Sequence, residues 1–307
     1  MDLNEILFLT PKNDPVIGKP FWNKGFVLES IYKNDHYSER KFKILSLLNK
    51  EHILFAFNKE LIKKHNKIIL SECAQISTVA RYIYIYNRQV DIKAYFWNIL
   101  KGKYVEEVEK LQKMGVETYT FDIGDCQKYN MKYKPQPYPY LEDVYLGVPD
   151  IKYSCYFCAA DKGRLSNLLK IKEVLEKQNI PFYFKVLKEK HKKYYAINGI
   201  EFLDELIDYN RVLKETNSAD CIVELLTKGQ KGYTLRTMEA LFLNKKLITD
   251  NLNIRFAEFY HPNNIFILDK NYEDIKEFLS LPKQPIPEHI KEKYSCKTWI
   301  KSFFEVK

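Results

Sequence analysis

Two short segments hold the residue types most suited to chemistry. The first, AADKGRLSNLL at 159–169, sets Asp161, Lys162, Gly163 and Arg164 between an apolar run and an amphipathic one. Lysine and arginine placed together suit a diphosphate, because arginine offers forked N–H donors and lysine a compact charge. Gly163 frees the backbone for a tight turn or a close approach. The bland alternative is a solvated, capped turn. The second segment, LLTKGQKGYTLRTME at 225–239, carries Gln230, Gly232, Tyr233, Thr234, Leu235, Arg236 and Glu239. Thr234 and Leu235 fall at the start of a predicted helix, where unpaired N–H groups and the helix dipole attract anions. Arg236 adds charge there, and Glu239, further along the helix, is suited to accept two ribose hydroxyls. Its alternative is an ordinary exposed helical glutamate. Glu224, at the end of DCIVEL, either bonds a sugar or holds the loop that follows. A nucleobase would rest near Val186, at the end of PFYFKVL.

These segments need strands before them and helices after them, and the sequence supplies both. In the first half, ILFLT (6–10), HILFAF (52–57), KIILSE (67–72), DIKAYFW (91–97) and ETYTFD (117–122) read as strands, and KYVEEVEKLQKMG (103–115) as a helix ending at glycine. A proline-rich stretch at 132–150 reads as a connection. The alternation then restarts. CYFCAA (155–160), PFYFKVL (181–187), DCIVEL (220–225), KKLITD (245–250) and NIFIL (264–268) read as strands. Helical patterns fall at 164–178, 202–217 and 234–244, with a last amphipathic helix at 287–306. The expected fold class is therefore α/β, with two Rossmann-like doubly wound domains facing a cleft: 1–140, 141–285, and a C-terminal helix 286–307 packing back toward the N-terminal domain.

Composition narrows the function. Lys and Arg outnumber Asp and Glu by 49 to 40 in 307 residues, which favours an anionic ligand, nucleic acid or an anionic membrane face. No apolar run is long enough to span a bilayer. The acidic start MDLNEILFLTPKND lacks the basic region of a signal peptide. The expected location is cytoplasmic, with peripheral contact at the inner face of the membrane. Cys155 and Cys158 form a lone CxxC with no second pair, so a buried strand is expected there and no metal site. No G-x-G-x-x-G follows a strand, which argues against a dinucleotide-dependent oxidoreductase. The lysines spread along helix faces without an RNA-binding motif.

GYTLRTMEALFLNKKLITDN resembles the donor-site segment of GT-B glycosyltransferases, in which a glycine-bearing loop leads to a helix with a Glu-Ala pair, then a strand. ADKGR is similar to that family's basic diphosphate loop, and IDYNRVLKETNSADCIVEL to the helix and strand before its donor loop. FDIGDCQKYNMKYKPQPYPY (121–140) resembles a segment of the lipopolysaccharide and capsule group of these enzymes. The resemblance implies a hexosyltransferase without a metal or other cofactor. Its substrates would be a UDP- or GDP-linked sugar, bound mainly by the C-terminal domain, and a glycan or lipid-linked acceptor, bound mainly by the N-terminal domain. Lys162, Arg164 and Glu224 take the catalytic roles in this reading, with Asp161, Gly163, Val186 and the 230–239 residues named above holding the donor. The chain departs from the family's E-x7-E pattern, with Lys231 eight positions before Glu239.

In the N-terminal half, Trp97 and Asn98 end a strand and pair an aromatic ring with an amide, which suits a sugar acceptor; a core tryptophan is the rival. Asp14, Glu72 and His36 are candidate general bases. The alternative to the transferase is a non-catalytic basic protein that binds nucleotide or nucleic acid.

Overall fold

The computed structural model describes residues 2–11, 25–33, 39–48, 50–138, 149–269 and 271–305. The chain divides into two compact units, Met1–Pro135 with Ser295–Lys307, and Gln136–Tyr294. The boundary expected at 140/141 falls on residues outside those described, as do Asp14 and His36.

The first unit is a parallel six-stranded sheet in the order β2 (Val27–Ser30), β1 (Ile6–Thr10), β3 (Lys67–Ser71), β4 (Asp91–Phe96), β5 (Glu117–Thr120), β6 (Lys132–Tyr133). Its central strands are apolar on consecutive residues because both faces are covered. Leu7, Leu9, Ile68, Leu70 and Ala94 point to one side. They meet α3 (Ile76–Tyr86) through Ile76, Val79, Ala80 and Ile83, and α4 (Lys103–Lys113) through Val108 and Leu111. The earlier helices are α1 (Glu39–Leu47) and α2 (Lys59–Lys64), and α5 (Ile123–Tyr129) follows β5. Ile6, Phe8, Ile69 and Tyr95 point to the other side, where Trp299, Ile300 and Phe303 cover them.

The second unit is a parallel sheet in the order β12 (Ile265–Ile267), β11 (Lys246–Thr249), β10 (Ala219–Glu224), β7 (Tyr153–Ala160), β8 (Phe182–Leu187), β9 (Ile200–Leu203). Cys155, Phe157, Phe184, Val186, Cys221, Val223 and Ile248 face α6 (Leu165–Lys177). Ile222, Leu247, Ile265 and Ile267 face α8 (Leu235–Phe242) through Met238, Ala240 and Leu241. Alternation along β7 sends Cys155 and Cys158 to opposite faces; Cys155 joins the α6-side core and Cys158 packs on the other side, near α7 (Tyr209–Asn217). The two sulfurs cannot jointly hold one ion.

Three expected elements differ. HILFAF is a 3-10 turn at Glu51–Leu54, after which Phe55 bridges Tyr32 and stacks on Phe57. An apolar run of that length fills a core equally well as a turn. Residues 202–217 split into the end of β9 and α7, with Asp208 capping Asn210 N. The tail is two short helices after α9 (Ile275–Ser280), namely α10 (Glu288–Lys293) and α11 (Cys296–Lys301). The break falls where Ser295 turns extended and its side chain caps Thr298 N. The segment from Ser295 onward belongs to the first unit.

Trp299 is 1% exposed. Its indole N–H donates to Pro135 O at 2.7 Å, and its ring meets Tyr95 and Phe303 edge-on at 4.8 and 4.7 Å. Trp299→Ala is expected to destabilise the first unit by about 3–5 kcal/mol, read as a lower urea midpoint in near-ultraviolet circular dichroism. An unchanged midpoint would show that the segment adds nothing to that core.

Candidate functional site

The second sheet starts in its middle. From β7 the chain moves outward through β8 and β9, then returns to the opposite flank of β7 as β10. The carboxyl ends of β7 and β10 therefore flank a topological switch point, where open α/β sheets bind ligands. The segments 161–164 and 225–234 leave from those two ends.

Asp161 is 1% exposed. Its Oδ1 accepts from Leu165 N at 3.0 Å, starting α6, and its Oδ2 accepts from the Tyr194 hydroxyl at 2.7 Å and pairs with Lys192. Burial works against ionisation, but Lys192, Tyr194 and the Leu165 N–H outweigh it and hold the carboxyl below its ordinary value. Both oxygens are thus engaged by protein groups, which position the start of α6 and the 188–199 segment. Lys162 and Gly163 follow in a turn with φ of 40° and 84°, and both are exposed. Arg164 is half-buried. Its Nη1 donates to Ala160 O at 3.3 Å, and its buried Nε has no hydrogen-bond partner. Among the described residues no carboxylate comes within ion-pair distance of it. Burial pulls its pKa down, while Glu224 and Asp250 push back.

The 225–239 segment is largely self-satisfied. Glu224 is 2% exposed. Its Oε1 accepts from the hydroxyls of Thr234 and Thr237 (the latter at 2.7 Å), and its Oε2 from Thr249 at 2.6 Å. A buried carboxylate holding three hydroxyls clamps the loop, the second of the two roles the sequence left open for Glu224. Thr234 caps α8 by accepting from Arg236 N at 3.0 Å, and Thr237 Oγ1 accepts from Thr234 N at 3.3 Å. The helix start expected to bind an anion spends donors on its own cap. Gln230 Oε1 accepts from Thr227, and Gly232 O from Asn251 Nδ2 at 3.1 Å. Tyr233 packs edge-on to Phe259 in the core, and Leu235 packs against the same cluster.

Glu239 is fully buried. Oε1 accepts from Tyr209 OH at 2.9 Å, and Oε2 is ion-paired with Arg236. Burial raises its pKa, opposed by Arg236 and Tyr209. Both partners of this pair were expected to face a ligand, the arginine toward diphosphate and the glutamate toward ribose. They face each other and Tyr209, because a buried charge is costly unless it is paired. Val186, expected beside a base, is 1% exposed, with its side chain in the α6-side core and its strand paired on both sides. The site residues that keep unsatisfied or exposed charge are Lys162 and Arg164.

In the first unit, Trp97 Nε1 donates to Ser71 Oγ at 3.0 Å, and its ring sits edge-on to Tyr95 at 5.0 Å. The tryptophan is half-buried and structural in its contacts. Asn98 is exposed, and its side-chain amide donates to Glu72 Oε1 at 3.2 Å. Glu72 also accepts from the N–H groups of Trp97 and Asn98, each at 2.9 Å, so the candidate base anchors the turn after β4.

Sequence reasoning missed Asp250, which ends KLITD and accepts from Leu226 N at 2.8 Å. It also missed Tyr209 and the 188–199 strap fastened to Asp161. A carboxylate ending a strand at the sheet's carboxyl edge was the available signal for Asp250; the long-range partners left none.

Asp161→Asn is expected to loosen that strap, read as faster tryptic cleavage at residues 188–193. The carboxyl's folded pKa lies below its unfolded one. Its contribution is therefore present above the unfolded value and lost as pH falls through the folded one. Wild type and Asp161→Asn should converge in stability on acidification, and parallel melting curves at every pH would remove this role.

No family model matches the chain, and no curated protein matches it in sequence. Solved structures match it in fold along nearly its whole length. A glycosyltransferase from Rickettsia africae ESF-5 is 11% identical with a TM-score of 0.53, over 97% of this chain and 96% of that one. An α,α-trehalose-phosphate synthase (UDP-forming) from Burkholderia vietnamiensis is 8% identical with a TM-score of 0.56, over 97% and 98%. The N-terminal domain of trehalose-6-phosphate phosphatase from Candida albicans is 11% identical with a TM-score of 0.55, over 99% and 96%. At such identities the likeness is one of fold, and the two parallel α/β sheets give this chain the GT-B, two-domain Rossmann-like class.

Proposed function

We propose that the protein is a metal-independent glycosyltransferase that takes a sugar from a nucleotide-sugar donor held at the switch point of the second unit. The observation that carries this reading is Arg164, a half-buried guanidinium at the end of β7 with its Nε unpartnered and no ion-pair partner among the described residues. Such a charge costs free energy unless an anion completes it. A diphosphate supplies that anion and takes bidentate bonds. Lys162 and the φ-positive Gly163 turn beside it leave room for the second phosphate. As the sugar departs, charge builds on the diphosphate, and Arg164 and Lys162 stabilise it without a metal. The fold class supports the same reading.

The finer reading is a UDP- or GDP-linked hexose transferred to a glycan or lipid-linked acceptor, as in bacterial surface polysaccharide synthesis. It rests on the 121–140 and 230–250 segments of the sequence. Asn98, exposed at the end of β4, is the acceptor contact best supported on the first unit.

Calorimetric titration with UDP and GDP tests the donor site. One diphosphate should bind, and Arg164→Ala should weaken it by roughly 10- to 150-fold, the equivalent of about 1.5–3 kcal/mol for hydrogen bonds to a charged group. Glu239→Gln should act mainly on stability. Binding of neither nucleotide, or affinity indifferent to Arg164, would overturn the assignment.

A further inference from the structure

Arg164 and Asp250 stand over neighbouring strand ends without meeting. In the pairing of β10 with β7, Cys221 lies beside Cys155 and Ile222 beside Tyr156. Continued past the end of β10, that register sets Leu226 beside Ala160. Arg164 Nη1 donates to Ala160 O at 3.3 Å, and Asp250 Oδ1 accepts from Leu226 N at 2.8 Å. The guanidinium and the carboxylate are therefore anchored about one strand spacing apart, roughly 5 Å. They form no ion pair among the described residues. Each still feels the other. Burial pushes the half-buried Asp250 carboxyl above its ordinary value, the Leu226 N–H opposes the shift, Glu224 adds to it, and Arg164 opposes it.

The two flanks of Arg164 thus differ in charge. Toward the start of α6 lie Lys162 and the φ-positive Gly163 turn. Toward β10 and β11 lie two carboxylates, Glu224 enclosed by its three hydroxyls and Asp250 at the edge. A phosphate chain gripped by Arg164 and Lys162 cannot extend toward Asp250 without setting like charges together, which costs several kcal/mol. An uncharged group bearing hydroxyls can, because a carboxylate accepts hydrogen bonds from them.

We propose that Asp250 is a specificity-determining residue of the donor site, turning away a nucleoside triphosphate and admitting a diphosphate whose far side carries an uncharged group. The inference rests on the nucleotide-sugar reading above and deepens it. A triphosphate and a nucleotide sugar share base, ribose and two phosphates, so contacts to those parts hold both alike. A repulsive element beyond the second phosphate supplies the difference.

The test is calorimetric titration of the full chain with UDP, UTP, GDP and GTP in the presence of EDTA, for wild type, Asp250→Asn and Asp250→Glu. Wild type should bind the diphosphate of its preferred nucleoside more tightly than the triphosphate. Asp250→Asn keeps an acceptor for Leu226 N and removes the charge. It should narrow that preference about tenfold, the equivalent of about 1.4 kcal/mol. Asp250→Glu keeps the charge and should keep the preference. Wild type that takes triphosphate as readily as diphosphate would overturn the proposal, as would a preference that survives Asp250→Asn. Equal loss in Asp250→Glu would do so too, by assigning the effect to the loop's position and not to its charge. Diphosphate binding that depends on Arg164 and ignores Asp250 would remove this inference alone, whereas wild type that binds no nucleotide would remove the donor reading along with it.

Discussion

The carboxyl edge of the second sheet is organised around one buried carboxylate. Glu224 ends β10 and accepts hydroxyls from Thr234 and Thr237 at the start of α8 and from Thr249 at the end of β11. Hydrogen bonds to a charged group contribute about 1.5–3 kcal/mol each. Taking a carboxylate out of water costs several kcal/mol. Three such bonds let the carboxylate stay buried, and the cluster sets geometry. It fixes where the helix begins relative to two strands, and so fixes the wall beside which Arg164 sits. Arg164 in turn stands out because the groups around it are satisfied.

Elsewhere in this unit buried charge recurs with partners. Lys185 is wholly buried in the middle of β8, bonded to Glu215 Oε1 at 2.7 Å, while Tyr156 donates to the other oxygen at 2.8 Å. Burial would lower the lysine's pKa, but Glu215 and Tyr183 outweigh it and raise it. Lys246 sends its ammonium to the carbonyls of Phe278, Leu279 and Leu281, satisfying the end of α9. A lysine at the start of a strand is thus a cap for a helix far away in sequence. These placements explain how a chain with abundant charge builds parallel sheets covered on both faces.

The two doubly wound sheets could be read from the sequence because parallel strands covered on both faces leave continuous apolar runs, as in ILFLT and KIILSE, with amphipathic stretches between them. The short elements were not legible. Val27–Ser30 and Lys132–Tyr133 are edge strands of few residues with little apolar signal, and HILFAF has a strand's composition but sits in a turn. At the site, the sequence located both loops, since they are fixed by strand order. It could not show which side chains were already engaged. Whether Glu239 faces a ligand or Arg236 depends on Tyr209, thirty positions away on another helix. Asp161 depends likewise on Lys192 and Tyr194. Local pattern reports which residues reach an edge, and pairing across the fold decides what they do there.

The first unit is discontinuous, closing with Trp299, Ile300 and Phe303 over Phe8 and Tyr95. During translation its sheet is made early, but the side chains that cover one face emerge only after the intervening second unit. About 160 residues separate Pro135 from Ser295, or roughly 10–30 s of synthesis. Over that interval the sheet face that Trp299, Ile300 and Phe303 cover lacks its lid, and the second unit is the first of the two to have its whole chain.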